Sequence, residues 1–216
     1  MSALFEVTLA WLFKSAKGRD GKAFCTRPAF TDQVKEPTIR IASPDCGETG
    51  ATFSKEYMAE GGGRFPTLEW EAPADIAPKV KEWLLVVEDP DAPVPTPFAH
   101  GSRDGNAEDV CVYRIYPGIP ASQTRIEPKD LEVQDKGQSL LKSGIYYGAN
   151  SYMVYIPPKP LMNHGVHRYF FQVVALSEPL DRVLLQAKAT REQVADAIQG
   201  KVLGWGLWTA SCERRW

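Results

Sequence analysis

The chain reads as mainly β, an antiparallel architecture with a helix near each end, and three observations carry that expectation. Short apolar runs bounded by Gly, Pro and Asp recur from Thr38 onward, the pattern of strands and turns. Complete helix start and stop signals occur only close to the C-terminus. Strands and helices do not alternate, so a parallel βαβ fold has no support.

Residues 3–13 carry Phe5, Leu9, Leu12 and Phe13 at helical spacing. That stripe predicts an N-terminal helix docked on the body by its apolar side. Residues 14–36 are polar and broken by Gly18, Gly21 and Pro28, and read as a linker. The expected division is therefore a helix and linker over 1–36 and one domain over 37–216. Thr38–Ile41 and Pro66–Trp70 read as short strands, separated by a Gly61-Gly62-Gly63 turn. Trp83–Glu88 is continuously apolar until its last residue and predicts a central strand covered on both faces. Val110–Tyr116 is similar and stops at Pro117-Gly118. His167–Leu176 is the longest strand candidate, with His167, Tyr169, Phe171 and Val173 on one side. Thr190 and Gln193 form a capping box for a helix that Gly200 ends, and Val202–Cys212 closes the domain as a last strand.

A chain of 216 residues supports one substantial core. Its 25 basic and 27 acidic side chains nearly cancel, which excludes broad nucleic-acid binding but leaves room for a local anion pocket. No apolar run reaches the length of a membrane span. Glu6 and the absence of a basic leader ahead of the first apolar stretch argue against a secretory signal. Cys25, Cys46, Cys111 and Cys212 are scattered, with no zinc or redox spacing, so free thiols in the cytoplasm are the expectation.

The chemistry concentrates where the three histidines lie. Asp89-Pro90-Asp91-Ala92-Pro93 follows the central strand and precedes His100; His164-Gly165-Val166-His167-Arg168-Tyr169 follows Pro157-Pro158. An isolated Asp-Pro is ordinary turn chemistry. Two prolines around two carboxylates instead hold both acids in a defined geometry, where an acid can fix an imidazole tautomer. His167 and Tyr169 share a strand face, and an imidazole with a phenol suits a phosphate, sulfate or carboxylate. His164 and His167, three apart, would point to opposite faces of a strand, and His164 before Gly165 reads as a loop residue near the rim. Asp89, Asp91, His100 and His167 are suitable metal ligands, but no spacing requires a metal, and neither metal nor cofactor is expected. Serine-hydrolase, phosphate-loop and dinucleotide motifs are missing from the sequence.

These two motifs in this order resemble the phosphatidylethanolamine-binding protein family, which includes Raf kinase inhibitor proteins. Pro66-x-Leu68-x-Trp70 and the helix and strand over 189–214 add to the likeness, which is greatest to the bacterial and fungal branch. The resemblance implies a central antiparallel sheet packed against a smaller sheet, and a shallow anion pocket. Asp89, Asp91, His100, Pro158, His167 and Tyr169 would line it, with Arg168 turned away to pair with a carboxylate. Residues 1–36 have no counterpart in the family pattern, and the connection from Pro158 to His167 is longer than in the mammalian proteins.

The function implied first is a binding protein for a small anion or phospholipid head group that modulates a kinase or protease. The alternative is a secondary-metabolism enzyme of the fungal type, acting on a carboxylate or anhydride substrate. In that case Asp89, His100 and His167 would carry the acid–base chemistry.

Overall fold

The computed structural model describes residues 3–31, 34–93, 111–148 and 153–216. Ten strands and four α-helices are present among them, and the strands dominate. His100 lies outside the described residues.

The central sheet contains β2 (Ala51–Thr52), β4 (Glu82–Asp89), β5 (Cys111–Pro120), β9 (His167–Leu176) and β10 (Val202–Cys212), in the order β2-β10-β9-β4-β5. Every pairing is antiparallel except the short β2 alongside β10. A second antiparallel sheet holds β1 (Arg40–Ala42), β3 (Leu68–Glu71) and β6 (Arg125–Ile126). The hairpin of β7 (Val133–Asp135) and β8 (Leu140–Leu141) stands apart.

Strand alternation builds three layers. Leu85 and Val87 of β4 and Phe171 of β9 face the small sheet, where Ile41, Leu68 and Trp70 meet them. Leu84, Val86 and Val174 point the other way, onto Leu185 of α3 (Arg182–Gln186) and Val194 of α4 (Arg191–Ala197). Every residue of β4 is buried, as its continuous apolar run predicts. β5 runs beyond Pro117-Gly118 to Pro120, because Gly118 takes a positive φ of 80° and donates its amide to the buried Glu82 carboxylate. At Gly206 the backbone of β10 meets the Ile39 carbonyl so closely that a Cβ would sit 2.1 Å from that oxygen.

The N-terminal segment differs from its sequence expectation in two ways. The first helix, α1, spans Ala3–Leu12, but its stripe is not docked as expected: Phe5 and Leu12 are exposed, Leu9 and Phe13 only half-buried, and Leu4 and Trp11 are exposed beside them. Glu6 sets the orientation: it turns inward to a buried ion pair with Arg214 at 2.7 Å. The stretch read as a linker contributes Phe24 and Phe30, fully buried against Trp205, through two short turns and α2 (Pro28–Thr31). Arg191 of α4 secures it, bridging the buried Glu88 carboxylate at 2.8 Å and the Lys22 carbonyl at 2.6 Å. No described helix is long and apolar enough to cross a membrane.

Candidate functional site

The site forms where the C-terminal end of β4 meets the start of the antiparallel β9. Central strands carry Asp89 and His167 to the same end of the sheet, and both are buried. Asp89 accepts from His167 Nδ1 at 3.0 Å with one oxygen and from the Asp91 amide at 2.8 Å with the other. The second bond is a local Asx turn, which the Asp-Pro-Asp sequence favours.

His164 is not the rim residue its position suggests. Gly165, at a φ of +86°, turns the chain just ahead of β9 and folds the ring back over the strand. His164 is buried, and its Nδ1 lies 2.7 Å from His167 Nε2. The opposite-face expectation fails because His164 precedes the strand, where period-two alternation does not apply. Its other nitrogen, Nε2, lies 2.9 Å from the Phe13 carbonyl oxygen.

Hydrogen-bond stoichiometry then sets the protonation of this chain. The carbonyl can only accept, so His164 Nε2 carries a hydrogen. The three bonds Phe13–His164–His167–Asp89 need three protons, whereas two neutral rings and a carboxylate supply two. One further proton is held, balanced by the Asp89 charge. Burial lowers the His164 pKa, and His167 and Lys17 add to that effect against the Phe13 carbonyl and Asp89. Burial thus favours the neutral form of the His164 ring.

Asp91 does not share the imidazole with Asp89. It takes the Arg168 guanidinium through both oxygens at 2.8 Å, and also accepts from the Arg168 and Gly18 amides. Burial by itself would raise this carboxyl, but the Arg168 and Gly18 hydrogen bonds outweigh it and hold the pKa at about 2. Arg168 braces the motif as its outward direction implies, and its far side pairs with Asp20 at 2.7 and 2.8 Å. Tyr169 is fully buried beside Phe53, with its hydroxyl toward the Cys212 thiol, which burial pushes up to about 12. Pro158 is buried too, and its carbonyl accepts from the Ala59 amide at 3.0 Å.

Further unforeseen partners come from the N-terminal segment. Besides the Phe13 carbonyl, Lys17 donates to the Val166 carbonyl at 3.0 Å, Gly18 to Asp91, and the Arg19 amide to the Pro90 carbonyl at 3.0 Å. Residues 13–20 thus run as a strap across both motifs. The Lys-Gly-Arg-Asp run over 17–20 is the only hint in the sequence, and it carries no address.

The family model for phosphatidylethanolamine-binding protein matches residues 43–213. A protein of Talaromyces stipitatus called phomoidride biosynthesis cluster protein B is 41% identical over 98% of this chain and 82% of its own length. A protein of the same name from another fungus is 41% identical over 99% of this chain and 96% of its own. A protein of Aquifex aeolicus called UPF0098 is 35% identical over 72% of this chain and 78% of its own. Among solved structures, a phosphatidylethanolamine-binding protein homologue from Chlamydia trachomatis superposes with a TM-score of 0.60 at 21% identity, covering 83% of this chain and 99% of that one. YbcL of E. coli gives 0.60 at 20%, covering 82% and 98%.

Proposed function

This chain belongs to the phosphatidylethanolamine-binding protein family, and from that premise we propose that it binds a small carboxylate- or anhydride-bearing intermediate of a biosynthetic pathway beside the His164–His167 pair, and exchanges a proton with it. One observation carries the reading: the buried carboxylate–imidazole–imidazole chain, whose three hydrogen bonds call for one proton more than two neutral rings supply. A site for mere retention of an anion needs donors; a second imidazole relaying to a buried acid adds a path for the proton.

The residues act as follows. His164 Nε2 donates its hydrogen to an oxygen of the substrate. His167 Nε2 passes its hydrogen to His164 Nδ1, and His167 keeps its Nδ1 hydrogen on Asp89. The reverse sequence takes a proton from the substrate. Positioned transfer of this kind contributes roughly 10²- to 10⁴-fold in rate. The two fungal relatives named for phomoidride biosynthesis, similar along nearly the whole chain, support a biosynthetic setting. His100 remains the sequence-level candidate for a further acid or base.

In the second reading the pocket only holds a phosphate-bearing head group. The Lys17 ammonium close to the paired imidazoles favours it, since it adds a cation to a site for oxyanions. Titration with succinate and with phosphoethanolamine, on wild type and His167→Ala, tests both. Loss of binding in the variant is expected, and equal binding would exclude the pocket. Hydrolysis of a small cyclic anhydride to its diacid, faster with wild type than with His167→Ala, separates turnover from retention.

A further inference from the structure

We infer that His164 Nε2 is the ligand-facing donor of this site, and that the strap of residues 13–20 occupies it until a carboxylate or phosphate oxygen displaces the Phe13 carbonyl. The inference rests on the proposed pocket and assigns its entry.

Both ring nitrogens of His167 are engaged, one by Asp89 and the other by His164. The hydrogen at the open end of the chain is therefore the one on His164 Nε2, now aimed at a backbone oxygen. A neutral carbonyl is the weaker acceptor for it. An oxyanion forms a charge-assisted bond of roughly twice the strength, so exchange at this donor favours the ligand.

The strap is built to be displaced. α1 stays fastened by the buried Glu6–Arg214 ion pair, so the movement is confined to the segment between it and buried Phe24, where α1 itself adds little apolar contact. Its anchors to the motifs are polar: Lys17 to Val166, Gly18 to Asp91, Arg19 to Pro90, and Asp20 to Arg168. The last is a surface pair, with side chains 51% and 39% exposed. Beyond Ala23 the chain is fastened by buried Phe24 and Phe30, which sets a hinge between the strap and the body. The family model begins at residue 43, beyond the strap, whereas the two fungal relatives are similar over nearly the whole chain, strap included.

The test uses the full chain with succinate and inorganic phosphate as probes, read by calorimetry and by amide hydrogen exchange. Asp20→Ala removes one surface anchor and leaves the imidazoles alone. It should tighten succinate binding up to about five-fold, because a surface pair holds the closed state by no more than that factor. His164→Ala should weaken binding at least ten-fold, and His164→Gln, which keeps an N–H donor, should recover part of it. Succinate should also speed exchange at the Gly18 and Arg19 amides, a response that a purely structural strap would not give.

Binding that requires His167 but leaves those amides protected, or survives His164→Ala, overturns the latch and spares the pocket. No binding of either probe to wild type or Asp20→Ala overturns the pocket and the latch together. Phosphate binding without succinate binding, with faster exchange, supports the latch and overturns the carboxylate substrate.

Discussion

Replacing Asp89 by Asn tests the proton count directly, because the two side chains have the same shape. Asp89 is fully buried and serves His167 Nδ1 with one oxygen and the Asp91 amide with the other. In Asp89→Asn the amide oxygen keeps the Asp91 bond, and the amide nitrogen faces His167. His167 then accepts at Nδ1, retains its Nε2 hydrogen, and all three bonds of the chain close with two neutral rings. The loss is the difference between a charge-assisted bond of about 1.5–3 kcal/mol and a neutral one of about 0.5–1.5, so about 1 kcal/mol. Asp89→Ala instead strands the Asp91 amide and a charged ring in the interior, costing about 3–5 kcal/mol. At about 2–4 °C per kcal/mol for a chain of this size, the expected losses in Tm are about 3 °C and about 6–20 °C. Thermal unfolding measures both, and ring-nitrogen NMR reports whether His167 Nδ1 bears a hydrogen. If that nitrogen stays protonated in Asp89→Asn, or if Asn and Ala cost the same, the three-proton chain is wrong.

Three further outcomes follow from buried charge elsewhere. Burial pushes the Glu82 carboxyl up to about 7, although the Gly118 and Leu180 amides donate to it. The folded state therefore holds a proton that the unfolded chain releases near pH 4.5, and stability falls as pH rises from about 4.5 to about 7. Glu82→Gln keeps one acceptor oxygen for the Gly118 amide and gives up the longer Leu180 bond, but it cannot ionise, so its stability relative to wild type should improve by on the order of 2 kcal/mol between pH 5 and pH 8, read by urea unfolding at each pH. Arg191→Ala leaves the Glu88 carboxylate buried without its counter-charge and frees the Lys22 carbonyl. A loss of about 3–5 kcal/mol is expected, and Glu88→Gln in the same chain should restore part of it. Asp91, held at about 2 against an ordinary value of 3.8, contributes stability above about pH 4 that disappears as pH falls through about 2. Arg168→Gln should remove about 1 kcal/mol of that, a small figure because Arg168 is partly exposed to solvent screening. The gap between wild type and variant should close in acid, which circular dichroism across that pH range would follow.

Six of the strands were legible because each is a local pattern, whereas β2, β6, β7 and β8, of two or three residues each, are too short to show one. Trp83–Glu88 needs burial on both faces, and it has it. The capping box at Thr190 and Gln193 forms as its spacing requires. Elements whose placement depends on a distant charge were not legible. The stripe of α1 is a sound helical signal, yet a single ion pair from Glu6 to Arg214, 208 residues away, keeps it from docking as expected. Phe24 and Phe30 sit among glycines and polar residues, so no periodicity announces that they enter the core.

The site divides along the same line. The two motifs set Asp89 and Asp91 beside His167, the family resemblance they carry sent Arg168 to a carboxylate, and the chain matches that family's model. Those are properties of one strand end and its neighbour, where local geometry leaves few choices. Tertiary structure decided the rest. It joined His164 to His167 through a positive-φ glycine, gave Asp91 wholly to Arg168 and the strap, and set the Phe13 carbonyl on the terminal donor. A backbone carbonyl has no side chain to announce it, and its position depends on how the chain returns across some 150 residues. For that reason the Asp89–His167 contact could be anticipated from the sequence, but the carbonyl that meets His164 could not.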